Sequence, residues 1–269
     1  MSKCVILVPF FDKIEYATDT SLRILESRGY EVWRTPGYAA IDQGRNRMSY
    51  DALYRRGFDE LFWIDGDIAF QPDDVEKIRD RGQDICCAAY PFKGWPRMTV
   101  HTFQGQKIVF DALHGGLVEV MCAATGFLYT KAEVYYKTQE ALNLPLCNTA
   151  FEAPQVPFFK PEVWNINGDL CYLGEDFSFC MRARSAGYKV MLDTSIKIGH
   201  IGRYIYEWED YVRKTGQVKP NCTQFSYQST PTEDPDPCDD PSEEADLNLP
   251  PIGSSFSVCA KNPVTSGKA

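Results

Sequence analysis

The stretch LFWIDGDIAF, residues 61–70, runs four apolar residues straight into two carboxylates one residue apart. So short an apolar run, closed by a polar turn, predicts a strand buried on both faces over residues 61–64. Asp65 and Asp67 then stand where that strand surfaces. Burying an ionised carboxylate is costly unless a cation or hydrogen bonds compensate it. Alternate residues of an extended segment point the same way, so the two carboxylates can face one cation together. Gly66 between them lets a ligand approach the backbone. Oxygen ligation of this kind suits Mg²⁺ or Mn²⁺, which keep open positions for phosphates. The same three residues also read as a strand-ending turn, where Asp and Gly are common. Alone, the tripeptide does not choose between them.

Working outward, the first ninety residues alternate as β-α-β-α-β. Cys4–Phe10 is a continuous apolar strand, residues 17–28 a helix stopped by Gly29, and residues 31–34 a strand ending at Pro36. Residues 43–56 form an arginine-rich helix closed by Gly57. Beyond the D-G-D, Pro72 opens a helix that Gly82 ends, and residues 85–90 give a fourth strand. Helices between short buried strands predict a Rossmann-like α/β fold. Its sheet is mostly parallel and flanked by helices, with ligands at the carboxyl ends of the strands.

The middle of the chain reads differently. Residues 98–103 and 108–113, around Gly105-Gln106, predict a small antiparallel hairpin. Strands at 118–122 and 126–129 and a helix at 131–142 follow. Residues 143–173, rich in proline and aromatics, read as an irregular loop facing substrate. A helix over 174–186 ends at Gly187, and a strand at 189–192 precedes IKIGHIGRY. From residue 216 the composition shifts: eight of the 17 prolines, eight acids against three lysines, and three of the 36 Phe, Trp and Tyr residues. Such a segment buries too little apolar surface to fold by itself. The expected division is a catalytic domain at 1–215 and an acidic, proline-rich, flexible tail at 216–269.

A formal net charge of −9 over 269 residues argues against a general nucleic-acid binder, which carries a basic face, although Arg45, Arg47, Arg55 and Arg56 concentrate positive charge at 43–56. The ten cysteines include no C-x-x-C pair, which argues against zinc and thioredoxin-like chemistry, and several sit in apolar runs as small core residues. A reducing, cytoplasmic setting is expected. No apolar stretch approaches the roughly 20 residues needed to span a bilayer. The apolar CVILVPFF near the start reads as a first strand, not a signal peptide.

Four motifs together resemble the glycosyltransferases of the A-type (GT-A) fold, over roughly residues 3–205. They are G-R-N at 44–46, D-G-D at 65–67, G-E-D-F-S-F-C at 174–180 and H-I-G at 200–202. The resemblance implies a metal-dependent enzyme using Mn²⁺ or Mg²⁺. It would move a sugar from a nucleotide-sugar donor, a UDP-sugar by preference, to an acceptor hydroxyl on a glycan or other molecule. Within it, Asp67 is the direct metal ligand, Asp65 its helper through ribose or water, and His200 a further metal ligand. The imidazole is a good ligand for Mn²⁺, but a loop histidine satisfied by hydrogen bonds reads equally well.

Gly174-Glu175-Asp176 opens a helix, where backbone N–H groups and the helix dipole favour negative charge. Either acid can be a simple cap. By family analogy Asp176 is the general base and Glu175 a positioning group. The donor's nucleotide is expected against Pro9, Phe10 and Phe11 at the end of the first strand. Arg45, Asn46, Asp65 and Gly66 would meet its base, ribose or diphosphate. Trp95, Trp164 and Tyr172 are candidates for stacking on a sugar, although core packing explains each. Phe177 and Cys180 are expected to pack inward, and His101 and His114 to stay outside the site.

An Asp base implies inversion, whereas H-I-G also occurs among retaining relatives, so the stereochemistry stays open. A sugar-nucleotide nucleotidyltransferase would need a glycine-rich loop after the first strand, where this chain reads PFFDKIEYAT. A phosphatase would carry its D-x-D after the first strand. The non-enzymatic alternative is a carbohydrate-binding or scaffold protein on an inactive transferase fold.

Overall fold

The computed structural model describes residues 3–37, 40–94, 97–214 and 223–229. Its centre is a seven-stranded sheet built from Cys4–Phe10 (β1), Glu31–Pro36 (β2), Glu60–Ile64 (β3), Ile85–Cys87 (β4), Leu117–Val120 (β5), Phe127–Lys131 (β6) and Val190–Asp193 (β7). The spatial order is β2-β1-β3-β6-β4-β7-β5. Five strands run one way, while β5 and β6 run against them. The expected α/β architecture, mostly parallel with small antiparallel additions, is the one observed.

Strand alternation explains the layering. Val5, Leu7, Leu61 and Trp63 face one side, packed in a core that includes Met48, Tyr135 and Phe179. These three belong to the helices Ile41–Tyr50 (α2), Ala132–Leu142 (α4) and Glu175–Ser185 (α5). Ile6, Val8, Phe62 and Ile64 face the other side, with Leu22, Leu25, Val75 and Ile78. Those side chains come from Tyr16–Ser27 (α1) and Pro72–Asp80 (α3). Fully burying one such side chain is worth about 1.5–3 kcal/mol, so a sheet covered on both faces is a rigid platform for the loops at its edge.

Three expectations fail. The hairpin at 98–103 and 108–113 does not form: Val100–His101 pairs with Cys122–Ala123, and Ile108–Asp111 pairs with Gln224–Tyr227. Residues 143–173 are not wholly irregular. Glu162–Ile166 and Asp169–Leu173 make an antiparallel hairpin, and its turn residues Asn167 and Gly168 both have positive φ, 55° and 98°. An Asn-Gly pair between two strands is the turn signal that marks such a hairpin.

The boundary at 215 also moves. Gln224–Tyr227 is a strand of the body, with Phe225 and Tyr227 only 4% and 3% exposed. Phe225 stacks on Phe110 at 4.7 Å between ring centroids and meets Trp208 and Tyr211 of an additional helix, Trp208–Lys214 (α6). The remainder of the expected tail lies outside the described residues.

Candidate active site

The carboxyl ends of β1 and β3 open into a cleft of about 530 Å³. Backbone pairing fixes its floor. Asp65 N–H donates to the Gly126 carbonyl at 3.0 Å, tying the end of β3 to the residue before β6. The two-residue strand Ile68–Ala69 pairs antiparallel with Gly199–Ile201, and Ile201 N–H donates to the Asp67 carbonyl at 2.7 Å. That pairing makes His200 the direct partner of Ile68 and so sets it beside Asp67, far away in sequence.

Asp65 and Asp67 have separate partners. The Arg45 guanidinium, on α2 and only 2% exposed, donates from Nη2 to both oxygens of Asp65, at 2.9 and 3.1 Å. Its Nε lies 3.7 Å from Glu175 Oε1, and it sits over the Trp63 ring at 5.5 Å. Burial opposes the charge of Arg45, but Asp65, Asp176 and Glu175 outweigh it and hold its pKa above the ordinary value. Burial pushes the Asp65 carboxyl up, and Arg45 recovers only part of that rise. The Nε and Nη1 groups of Arg45 are buried with no hydrogen-bond acceptor. A buried donor left unpaired is costly, and at a cleft it suits an acceptor oxygen brought by a ligand.

Asp67 meets Lys93 Nζ at 2.5 Å and His200 Nε2 at 3.5 Å, both through Oδ2. Burial raises its pKa, yet these two partners prevail and bring it down to about 2. The ring of His200 lies edge-on to Tyr90 at 4.9 Å, and its Nδ1 is 3.2 Å from the Pro91 carbonyl oxygen. With the proton on Nδ1, the Nε2 lone pair is available to a cation beside Asp67; with the proton on Nε2, the ring faces Asp67 as a donor.

Asp176 and Glu175 occupy the first turn of α5, with Gly174 as N-cap. Asp176 Oδ2 accepts the Thr125 N–H at 3.3 Å. Burial, joined by repulsion from Asp176 and offset in part by Arg45, raises Glu175 to about 7. The folded chain therefore holds the Glu175 proton more tightly than the unfolded chain, and stability falls as pH rises from the usual glutamate range to about 7. Glu175→Gln is expected to raise the melting temperature at about pH 8 and to leave it nearly unchanged at about pH 4. Thermal unfolding across that range checks this, and a variant curve parallel to wild type would exclude Glu175 as the source.

Pro9, Phe10, Arg45, Asp65, Gly66, Asp67, Glu175 and Asp176 all line the cleft. Phe11 stands at its rim, 72% exposed. Asn46 does not join them. It is buried, and its side-chain oxygen accepts the Phe159 N–H at 2.7 Å, so it anchors the chain beside α5. Gly66 has a packing reason for its identity, since a Cβ there would come within 3.0 Å of Phe10 Cβ. Trp164 and Tyr172 sit on the 162–173 hairpin and are not among the cleft-lining residues. Trp95 lies outside the described residues. Phe177 and Cys180 pack inward. His101 contacts the Phe177 ring, and His114 lies 3.6 Å from Asp111, away from the cleft.

Lys93 and Thr125 were missed. Lys93 follows the carboxyl end of β4, a strand parallel to β1 and β3 in direction, and the rule that ligands gather at such ends applies to it equally.

Asp67 on the cleft wall and His200 next to it, which is not itself among the cleft-lining residues, offer a carboxylate oxygen and an imidazole nitrogen, donor types that suit Mn²⁺ or Mg²⁺. The Lys93 ammonium already stands as a cation against that oxygen. Asp65 is committed to Arg45. Among the described residues no three His, Cys, Asp or Glu groups close around one point. Asp67 and His200 are therefore the two candidate protein ligands for such an ion.

No family model and no curated protein matches the chain in sequence. Solved structures similar to it include A197 from STIV, at 16% identity and a TM-score of 0.49, with 74% of this chain and 86% of that one covered. GalNAc-T7 with UDP, GalNAc and Mn²⁺ is similar at 11% identity and a TM-score of 0.41, over 74% of this chain and 44% of that one. A glycosyltransferase involved in the glycosylation of the major capsid of PBCV-1 is similar at 14% identity and a TM-score of 0.27, over 52% and 67%. This chain therefore spans less than half the length of GalNAc-T7. Among the described residues no helix is long and apolar enough to cross a membrane.

Proposed function

We propose that the chain is a glycosyltransferase that takes a nucleotide-sugar donor, a UDP-sugar by preference, and passes the sugar to an acceptor hydroxyl. One observation carries this reading. The four acids Asp65, Asp67, Glu175 and Asp176 meet in a single cleft at the strand ends, around a buried arginine whose Nε and Nη1 make no hydrogen bond.

In this reading the donor's base lies against Pro9, Phe10 and the exposed Phe11, and Arg45 Nε or Nη1 receives a ribose or phosphate oxygen. Asp65 holds Arg45 in place. Asp67 and His200 would hold Mn²⁺ or Mg²⁺, which supplies positive charge to a leaving diphosphate when bound. Asp176, kept in register by Thr125 N–H, accepts the proton of the acceptor hydroxyl as its oxygen attacks the anomeric carbon and the diphosphate departs. Glu175, bearing a proton over part of the neutral range, orients the acceptor or Arg45. A carboxylate base on the face opposite the leaving group corresponds to inversion.

The test is a panel of nucleotide sugars and nucleoside diphosphates, read by thermal shift with Mn²⁺ and by transfer or hydrolysis. A shift with uridine diphosphate is expected, and no response to any member would overturn the reading. Asp176→Asn is expected to keep donor binding and to lose about 10²–10⁴-fold in transfer. Normal transfer by this variant would remove Asp176 from the chemistry.

A further inference from the structure

Lys93 reaches Asp67 from the loop that follows β4, with Nζ 2.5 Å from Oδ2. Its stem runs past Gly202, where a Cβ would stand 3.2 Å from Lys93 Cδ and 3.0 Å from the Tyr206 ring. A side chain at 202 would press on one or the other, so the bare glycine keeps open the path by which the lysine reaches the acid. His200 Nε2 meets the same Oδ2 at 3.5 Å. A single carboxylate oxygen thus serves an ammonium and adjoins the imidazole that would complete a metal site. An ammonium and a divalent ion repel strongly at contact distance and so compete for that oxygen.

The geometry points to Lys93 as a resident counter-cation of Asp67 that must withdraw before a divalent metal ion binds there. This rests on the metal reading of Asp67 and His200 proposed above. Lys93 lines the cleft wall beside Asp67 and Gly202 and is 38% exposed, so it can swing toward an anion entering the cleft without disturbing the core. Metal binding to the empty cleft is then weak, and it strengthens when a diphosphate draws the ammonium away. Apparent affinity falls by the fraction of molecules whose binding state is available, so an ammonium in place about nine-tenths of the time weakens binding about tenfold.

The experiment titrates Mn²⁺ alone into the full chain and follows free Mn²⁺ by electron paramagnetic resonance. Lys93→Met is expected to bind Mn²⁺ at least about tenfold more tightly than wild type, and Lys93→Arg to retain the wild-type value. Adding Asp67→Asn to Lys93→Met is expected to abolish the gain. Equal affinity in wild type and Lys93→Met would overturn the role of Lys93 while leaving the metal reading standing. A gain that survives Asp67→Asn would locate the ion elsewhere and overturn it too. Mn²⁺ binding by no variant, even with uridine diphosphate present, would remove both the metal reading and the role of Lys93.

Discussion

Arg45→Met is expected to cost roughly 3–5 kcal/mol of folding stability, the scale of a buried ion pair broken from one side. The methionine keeps most of the buried volume, so the loss isolates the charge. Without the guanidinium, Asp65 loses both of its side-chain hydrogen bonds, and Glu175 and Asp176 lose their shared counter-charge. Asp65 and Glu175, which burial already pushes up, then titrate higher still in the folded chain. The deficit is therefore largest at neutral and alkaline pH and shrinks as pH falls and the acids take up protons. Denaturant unfolding at several pH values measures this, and an unchanged midpoint at neutral pH would show that the cluster does not depend on Arg45. Arg45→Lys restores the charge but not the planar guanidinium that meets Asp65 through Nη2 and Glu175 through Nε, and is expected to fall between the two.

Asp67→Asn acts on the chemistry instead. Transfer or donor hydrolysis is expected to fall by at least about 10³-fold, corresponding to loss of several kcal/mol of charge stabilisation in the transition state. The fold should survive. Both members of the Asp67–Lys93 pair are about a third exposed, at 34% and 38%, and such pairs contribute about 0–1 kcal/mol. The Asp67 carbonyl, which accepts the Ile201 N–H, is untouched by the substitution. Turnover and melting temperature measured on the same preparation separate the two effects. Undiminished turnover would eliminate Asp67 from the reaction.

The sheet was legible because its signals are local. An apolar run such as CVILVPF or LFWI can be satisfied only by burial on both faces, and a glycine or proline marks where each neighbouring helix stops. The acids of the cleft were legible for a related reason, since ionised groups placed at the ends of buried strands need a partner. What was not legible came from pairing across long separations. Val100–His101 and Ile108–Asp111 each have strand character, but nothing local says that their partners lie at 122–123 and 224–227. Asn46 looked like a ligand group because it follows Arg45 in sequence. On a helix adjacent residues point about 100° apart, and it turns to the backbone of Phe159. The strand Gln224–Tyr227 was hidden by averaging, because its alternating Phe225 and Tyr227 sit within a segment dominated by acids and prolines. The Asn-Gly pair at 167–168 was a readable hairpin signal that the surrounding prolines and aromatics obscured.

That late strand has a bearing on biosynthesis. A nascent chain emerging from the ribosome displays Phe110 and Trp208 uncovered until Phe225 has cleared the exit tunnel. Premature termination anywhere upstream of this point strands an aromatic surface in water with the edge of Ile108–Asp111 unpaired, a combination that invites aggregation and chaperone capture.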